Sequence, residues 1–311
     1  MGSNPTPRTT VKPTALLANY INYLLCKKTL KQSTIKRKVR ALKSLLKQPF
    51  ELADSDSVVR FLNECNWTNG SKDIAINAYR DYLKMVGLTQ IQLPQFRIED
   101  KLPFIPLESE LDAVISSTRL KMSSYLRILK ETACRPIEAY RLKWLDIDIV
   151  NKCVTITPAK YSNARKMKIS EQTLNMVMAV PRRNQYVFST NGRFEDELPH
   201  LTRNYQKIRS RIADKLKNPR LRQISLRTFR HWKATTLYHQ TKDILFVKEF
   251  LGHKNIKNTL RYIHLANGLS GSEDQFASKV ASTVKEACNL VDDGFEYVTD
   301  MEGVKIFRKR K

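Results

Sequence analysis

Apolar residues recur at helical spacing through most of the chain. Leu17, Tyr20, Ile21 and Leu24 share one face, and Thr14 is placed to cap that helix. Ile35, Val39, Leu42 and Leu46 form a second stripe, which Ser33 can cap and Pro49 ends. Two further helices are predicted over 56–66 and 71–86. The second carries Ile74, Ala78, Tyr82 and Val86, with Gly87 as its stop. Four short helices in so little chain predict a small all-α bundle. Between 88 and 106 the period is lost, and Pro94, Pro103 and Pro106 mark a linker. Helical stripes resume with Leu107, Leu111, Val114 and Ile115, then Tyr125, Leu126 and Leu129.

The period then changes. Short strands are predicted over 147–150, 153–157 and 166–170, joined by a turn at Asn151-Lys152 and a longer basic loop over 158–165. Leu201, Tyr205, Ile208, Ile212 and Leu216 restore a clean helical stripe. A hairpin is predicted over 295–307, turning at Met301-Glu302-Gly303 and followed by the basic end 308–311. The fold class that follows is mainly α with a small β-sheet.

Charge narrows the function. The 311 residues hold 55 Lys and Arg against 30 Asp and Glu, a formal net charge of +25. A surplus of that size points to a polyanionic partner, nucleic acid first. The first fifty residues carry eleven Lys or Arg and no acid before Glu51. Lys36, Arg37, Arg40, Lys43 and Lys47 sit opposite the second apolar stripe, a candidate phosphate-tracking face. A solvated Lys-rich face is the alternative, but the absence of any acid in this stretch favours DNA contact. Five separated cysteines with no CxxC argue against both a disulfide framework and a thiolate metal site. No apolar run approaches a membrane span, and no secretory leader is readable at the start. A reduced, cytoplasmic and nucleoid-associated setting is expected.

Five separated segments carry candidate chemistry. In Ala133-Cys134-Arg135-Pro136-Ile137-Glu138, Pro136 suits a first helical position and places Arg135 at a helix mouth, a phosphate clamp. Lys160 lies in the loop between two strands and can offer a proton to a departing oxygen. Arg227 and Arg230, three apart on a helix, present two guanidinium groups on one side. His253 follows Gly252 at a helix exit, free to point into a site. Tyr262 follows nine residues later, and a phenol needs cationic neighbours to attack at neutral pH. Taken singly, Arg135, Lys160, His253 and Tyr262 are more often ordinary surface or core residues, and the Arg227/Arg230 pair is as often a plain DNA-facing helix. Their order along the chain is the stronger signal.

That order, Arg135, Lys160, Arg227-x-x-Arg230, Leu251-Gly252-His253, Tyr262, resembles the tyrosine recombinases, also called phage-type integrases. The segment from Phe250-Leu251-Gly252-His253 to Arg261-Tyr262-Ile263-His264 carries the likeness most fully. The 103–106 entry and the 295–311 tail look most like integrases of archaeal mobile elements. The resemblance implies a helical core-binding (SAM-like) domain over 12–90, a linker over 91–106, an α+β catalytic domain over 107–266, and a tail over 267–311 that either caps its own chain or docks on a neighbour. It also implies that Tyr262 attacks a scissile phosphate to leave a 3′-phosphotyrosyl link. Lys160 would protonate the leaving 5′ oxygen, and Arg135, Arg230, Arg227 and His253 would stabilise the developing charge. No metal, ATP or other cofactor is implied. The partners implied are double-stranded DNA at recombination sites and further copies of the chain, four in the synaptic complex.

One position departs from the pattern. The family usually has His where Arg227 stands, and a guanidinium cannot act as a base. His231, one turn on, can partly substitute. That leaves open a DNA-binding protein of this fold with impaired catalysis, and the shared tyrosine chemistry leaves open a type IB topoisomerase-like nicking-closing enzyme.

Overall fold

A computed structural model describes residues 13–27, 29–88, 91–98, 102–159, 162–267, 276–301 and 303–310. The chain divides into two compact units, 1–101 and 102–311. The described residues between 91 and 106 carry no helix or strand.

The first unit holds α1 (Pro13–Cys26), α2 (Gln32–Leu45), α3 (Ser55–Glu64) and α4 (Asn69–Met85). Their apolar faces meet in one core around Tyr20, Leu24, Leu42, Leu62, Ile76 and Tyr79. Buried tyrosines need partners for their hydroxyls. Tyr20 donates to the Ala78 carbonyl at 2.9 Å, and Tyr79 to the Leu52 carbonyl at 2.9 Å. Helix starts differ from the sequence expectation. Thr14 lies inside α1, which begins by Pro13, rather than capping it. Lys31, not Ser33, occupies the N-cap of α2, without a side-chain cap. Thr68 caps α4, its hydroxyl accepting from the Ser71 N–H, so the helix starts before residue 71. Lys36, Arg37, Arg40, Lys43 and Lys47 are all exposed. The flanking Lys27 and Lys38 are engaged by Asp81 of α4.

The second unit begins with α5 (Glu108–Ser116), α6 (Leu120–Thr132) and the single-turn α7 (Pro136–Tyr140). A three-stranded antiparallel sheet follows, β1 (Ile147–Asp148), β2 (Cys153–Ile156) and β3 (Arg165–Lys168), in that spatial order. The strands are shorter than the sequence suggests, and Ile156 pairs with Arg165. Then come α8 (Glu171–Met178), α9 (Phe194–Lys215), α10 (Thr228–Thr241), α11 (Ile244–Leu251) and α12 (Lys257–Asn267). Most of these elements close on one core that includes Leu126, Leu129, Val154, Ile156, Phe188 and Phe229.

The tail holds more than the expected hairpin. It comprises β4 (Phe276–Ala281), α13 (Val284–Asp292), β5 (Glu296–Met301) and β6 (Val304–Arg310), with the sheet ordered β4-β6-β5. Met301 pairs with Val304 across the turn, and Glu302 lies outside the described residues. Phe295 and Phe307 pack with Ala281, Ala287 and Leu290. Ile306 and Val280 pack into the cluster formed by α10, α11 and α12. Part of the tail thus packs against α10–α12 of its own chain. Among the described residues, no helix is long and apolar enough to cross a membrane.

Candidate active site

The site is built where four helix ends meet one hairpin loop. Helix α6 ends on Ala133, a left-handed residue with φ of 49°. That conformation strains a residue with a Cβ and recurs at functional turns. It swings the chain so that Pro136 opens α7 with Arg135 as its N-cap. The backbone N–H of Arg135 is not free to bind a phosphate. It donates to Glu138 Oε2 at 2.9 Å.

Glu138 is 2 % exposed and organises the cations around it. Its Oε1 accepts from Arg135 Nη1 at 2.8 Å, and its Oε2 from Arg165 Nη2 at 3.1 Å. Arg135 Nη1 also donates to Ser162 Oγ at 2.8 Å. Burial alone would raise the Glu138 pKa. The Arg135 N–H and the two guanidinium groups outweigh it and hold the carboxyl below its ordinary value, so it stays ionised.

Helix α11 ends in a Schellman turn. Gly252 has φ of +67°, its N–H donates to the Glu249 carbonyl, and that of His253 to the Lys248 carbonyl. The missing side chain also admits the β2–β3 loop. A Cβ on Gly252 would stand 2.9 Å from Arg165 Nη1 and 3.0 Å from the Asn163 carbonyl. Asn163 N–H donates to the Gly252 carbonyl at 3.1 Å, and Ser162 bridges to His253. Lys160 lies outside the described residues. Close by in sequence, the Ala159 N–H and the Ser162 hydroxyl both reach Glu138 Oε1.

Arg230, on the first turn of α10, is 7 % exposed. Its Nη1 donates to the Ala133 carbonyl at 2.5 Å and its Nη2 to the Leu251 carbonyl at 2.8 Å. It thereby joins the C-terminal ends of α6 and α11, where helix dipoles favour a cation. Burial first, then Arg135, lowers its pKa to about 10, so the charge persists at neutral pH. Nη2 also donates to His253 Nε2 at 2.8 Å. His253 Nδ1 lies 2.9 Å from the hydroxyl of Thr259, which is fully buried. Because Nε2 must accept from the guanidinium, the proton of the neutral ring sits on Nδ1. His253 is therefore engaged on both nitrogens rather than free. Burial and then the arginines Arg230, Arg135, Arg165 and Arg261 push its pKa down to about 3.

Tyr262 lies on α12, 2 % exposed, with its hydroxyl 3.1 Å from His231 Nδ1. Burial raises the phenol above its ordinary pKa, and Arg230, Arg261 and Arg135 pull it back in part. Arg135, Arg227, Arg230, His231, His253 and Tyr262 all line one cleft of about 720 Å³. Arg227 is the N-cap of α10 and is exposed, whereas Arg230 is sunk beneath the cleft. The two arginines thus differ in depth and do not form the matched pair of forks expected from their spacing.

Three contributors escaped sequence reasoning. Thr259 orients His253, and Arg261 brings a further charge to the cleft wall. Arg165 is the third. Its signal was present: in the alternation Arg165, Met167, Ile169 the latter two are buried, which puts a charged residue at an inward position. Among the described residues, no three His, Cys, Asp or Glu cluster as metal ligands.

The chain is similar to several known integrases and recombinases. The chain is 26% identical over 275 residues to a probable integrase/recombinase protein of Methanocaldococcus jannaschii, covering 76% of this chain and 82% of that one. It is 26% identical over 206 residues to the ICEBs1 integrase of Bacillus subtilis, covering 60% of this chain and about half, 54%, of that relative. Among solved structures, the Tn1549 transposon integrase in complex with transposon right end DNA is similar with a TM-score of 0.61, at 13% identity, over 89% of this chain and 98% of that one. A lambda integrase dimer bound to a core site gives 0.60, at 12% identity, over 85% and 98%. Likeness at such identities establishes the fold. The match of residues 107–268, more than half the chain and all of the cleft described above, establishes that this protein belongs to the phage integrase family, the tyrosine-type site-specific DNA recombinases.

Proposed function

We propose that the chain cleaves and rejoins DNA at specific sites through a 3′-phosphotyrosyl intermediate on Tyr262. The observation that carries this reading is the placement of a buried phenol in a cleft walled by Arg135, Arg227, Arg230 and Arg261. The Tyr262 oxygen attacks the scissile phosphorus, and the 5′ oxygen departs with a proton. By its resemblance to the family, Lys160 supplies that proton. The guanidinium groups offset the charge gathering on the phosphorane oxygens, in place of a metal ion. The covalent link conserves the bond energy, so rejoining needs no nucleotide cofactor. The basic face of α2, with Lys36, Arg37, Arg40 and Lys43, supplies phosphate contacts that add affinity without reading sequence. Assembly of four chains on two duplexes belongs to the same reading.

A second reading has one feature in its favour. Arg227 stands where a proton-handling imidazole is usual, which suits a DNA-binding protein with impaired catalysis. A nicked-duplex trap separates the two. Wild-type protein and Tyr262→Phe are mixed with pooled nicked fragments of host DNA in EDTA, and SDS-resistant adducts are collected. An adduct from wild type alone is expected. Tight binding with no adduct from either protein would favour the impaired reading.

A further inference from the structure

The family's usual imidazole is missing at Arg227, yet an imidazole touches the nucleophile. His231 Nδ1 lies 3.1 Å from the Tyr262 hydroxyl, with the rings tilted at 46° and their centroids 5.9 Å apart. The contact joins the first turns of α10 to the middle of α12, two helices packed in one apolar cluster, and so rests on rigid elements rather than on a loop.

Among the described side chains of the cleft, other proton acceptors are spent. His253 accepts from Arg230 on one nitrogen and bonds Thr259 through the other. Glu138 is enclosed by Arg135, Arg165 and Ser162. The arginines cannot accept a proton. We propose that His231 is the catalytic base of this enzyme, taking the Tyr262 proton on Nδ1 as the phenol oxygen attacks the scissile phosphorus. The proposal rests on Tyr262 being the nucleophile.

The step balances without any added reactant. The Tyr262 O–H bond breaks and its proton passes to His231 Nδ1. The oxygen–phosphorus bond forms, the phosphorus–O5′ bond breaks, and O5′ takes a proton from the general acid. On rejoining, His231 returns its proton to the tyrosine oxygen.

The charges around His231 add a control. Arg227 and Arg230 approach it from its own helix, and Arg261 and Tyr262 from α12. Burial, then Arg261, Arg230 and Arg227, lower its pKa to about 4. In free protein the imidazolium is therefore strongly disfavoured and the phenol keeps its proton. A docked phosphate neutralises those arginines and makes the imidazole a better acceptor. The base thus works when the scissile phosphate is in place and is silent otherwise.

The test uses the full chain and a nicked duplex carrying the sequence recovered by the covalent trap. Adduct formation is timed in single turnover for wild type and for His231→Gln, which keeps a hydrogen-bond acceptor but cannot hold a proton. Each protein is assayed on the ordinary duplex and on one with sulfur in place of the bridging 5′ oxygen, a leaving group that needs no acid. We expect His231→Gln to bind DNA normally and to be slower by about a hundredfold on both substrates. A wild-type rate on the ordinary duplex overturns the proposal. So does recovery on the sulfur substrate alone, because His231 would then serve the leaving group. If the Gln variant fails to bind DNA, His231→Ala with added imidazole replaces it: restored cleavage supports the proposal, and none overturns it. No adduct from wild type on any duplex would overturn the Tyr262 reading itself, and this proposal with it.

Discussion

Glu138 carries the electrostatics of the site at the scale of single residues. It is the buried counter-charge for both Arg135 and Arg165. Breaking a buried ion pair by removing one partner costs about 3–5 kcal/mol. Glu138→Gln is therefore expected to lower the calorimetric melting temperature by several degrees, and a midpoint within about 2 °C of wild type would contradict that role. The histidines give a pH signature. His231 and His253 have folded pKa values of about 4 and about 3, below the ordinary value of about 6.5. Between those limits the unfolded chain binds more protons, so stability falls as pH drops from about 6.5 towards 4. His253→Gln should flatten that fall in a series of melts across the window. An unchanged slope would show that His253 is not held neutral by the fold. Sequence alone could place Arg135, Arg230, His253 and Tyr262 in order, because their motif spacing survives in the primary structure. It could not show that His253 is spent on Arg230 and Thr259, nor that His231 faces Tyr262. Those facts depend on how α10, α11 and α12 pack.

Gly252 is the hinge point between elements. It ends α11, and its bare backbone lets the β2–β3 loop lie against the helix exit. A left-handed residue with a Cβ costs about 1–2 kcal/mol, and here the Cβ would also press on Asn163 and Arg165. Gly252→Ala should therefore lower the melting temperature and slow adduct formation while sparing DNA affinity, read by calorimetry, cleavage kinetics and a binding titration. Loss of DNA affinity with normal cleavage at saturation would contradict it. The elements most legible in sequence were those with long apolar stripes, such as α2, α4 and α9. The strands were overdrawn, since only Ile147–Asp148, Cys153–Ile156 and Arg165–Lys168 pair before the chain turns away. Helix α13 and strand β4 were missed. Their burial comes from contacts with β6 and with α10–α12, which local periodicity does not encode.

For the whole molecule, the formal charge of +25 is expected to draw DNA to the chemistry. Each phosphate contact removed should lower the slope of log affinity against log salt by about 0.9. Replacing Lys36, Arg37, Arg40 and Lys43 by Gln is expected to cut that slope by up to about 3.6 and weaken binding to all sequences alike, read in titrations across a salt series. Cleavage at saturating DNA should persist; an unchanged slope would remove the α2 face from the DNA contact. The whole reaction turns on the covalent bond proposed at Tyr262. Its most direct measurement is mass spectrometry of the trapped adduct after nuclease and trypsin digestion. A nucleotide remnant is expected on the peptide that begins at Tyr262, with no adduct from Tyr262→Phe. A remnant on any other residue, or an adduct that survives the substitution, would contradict it.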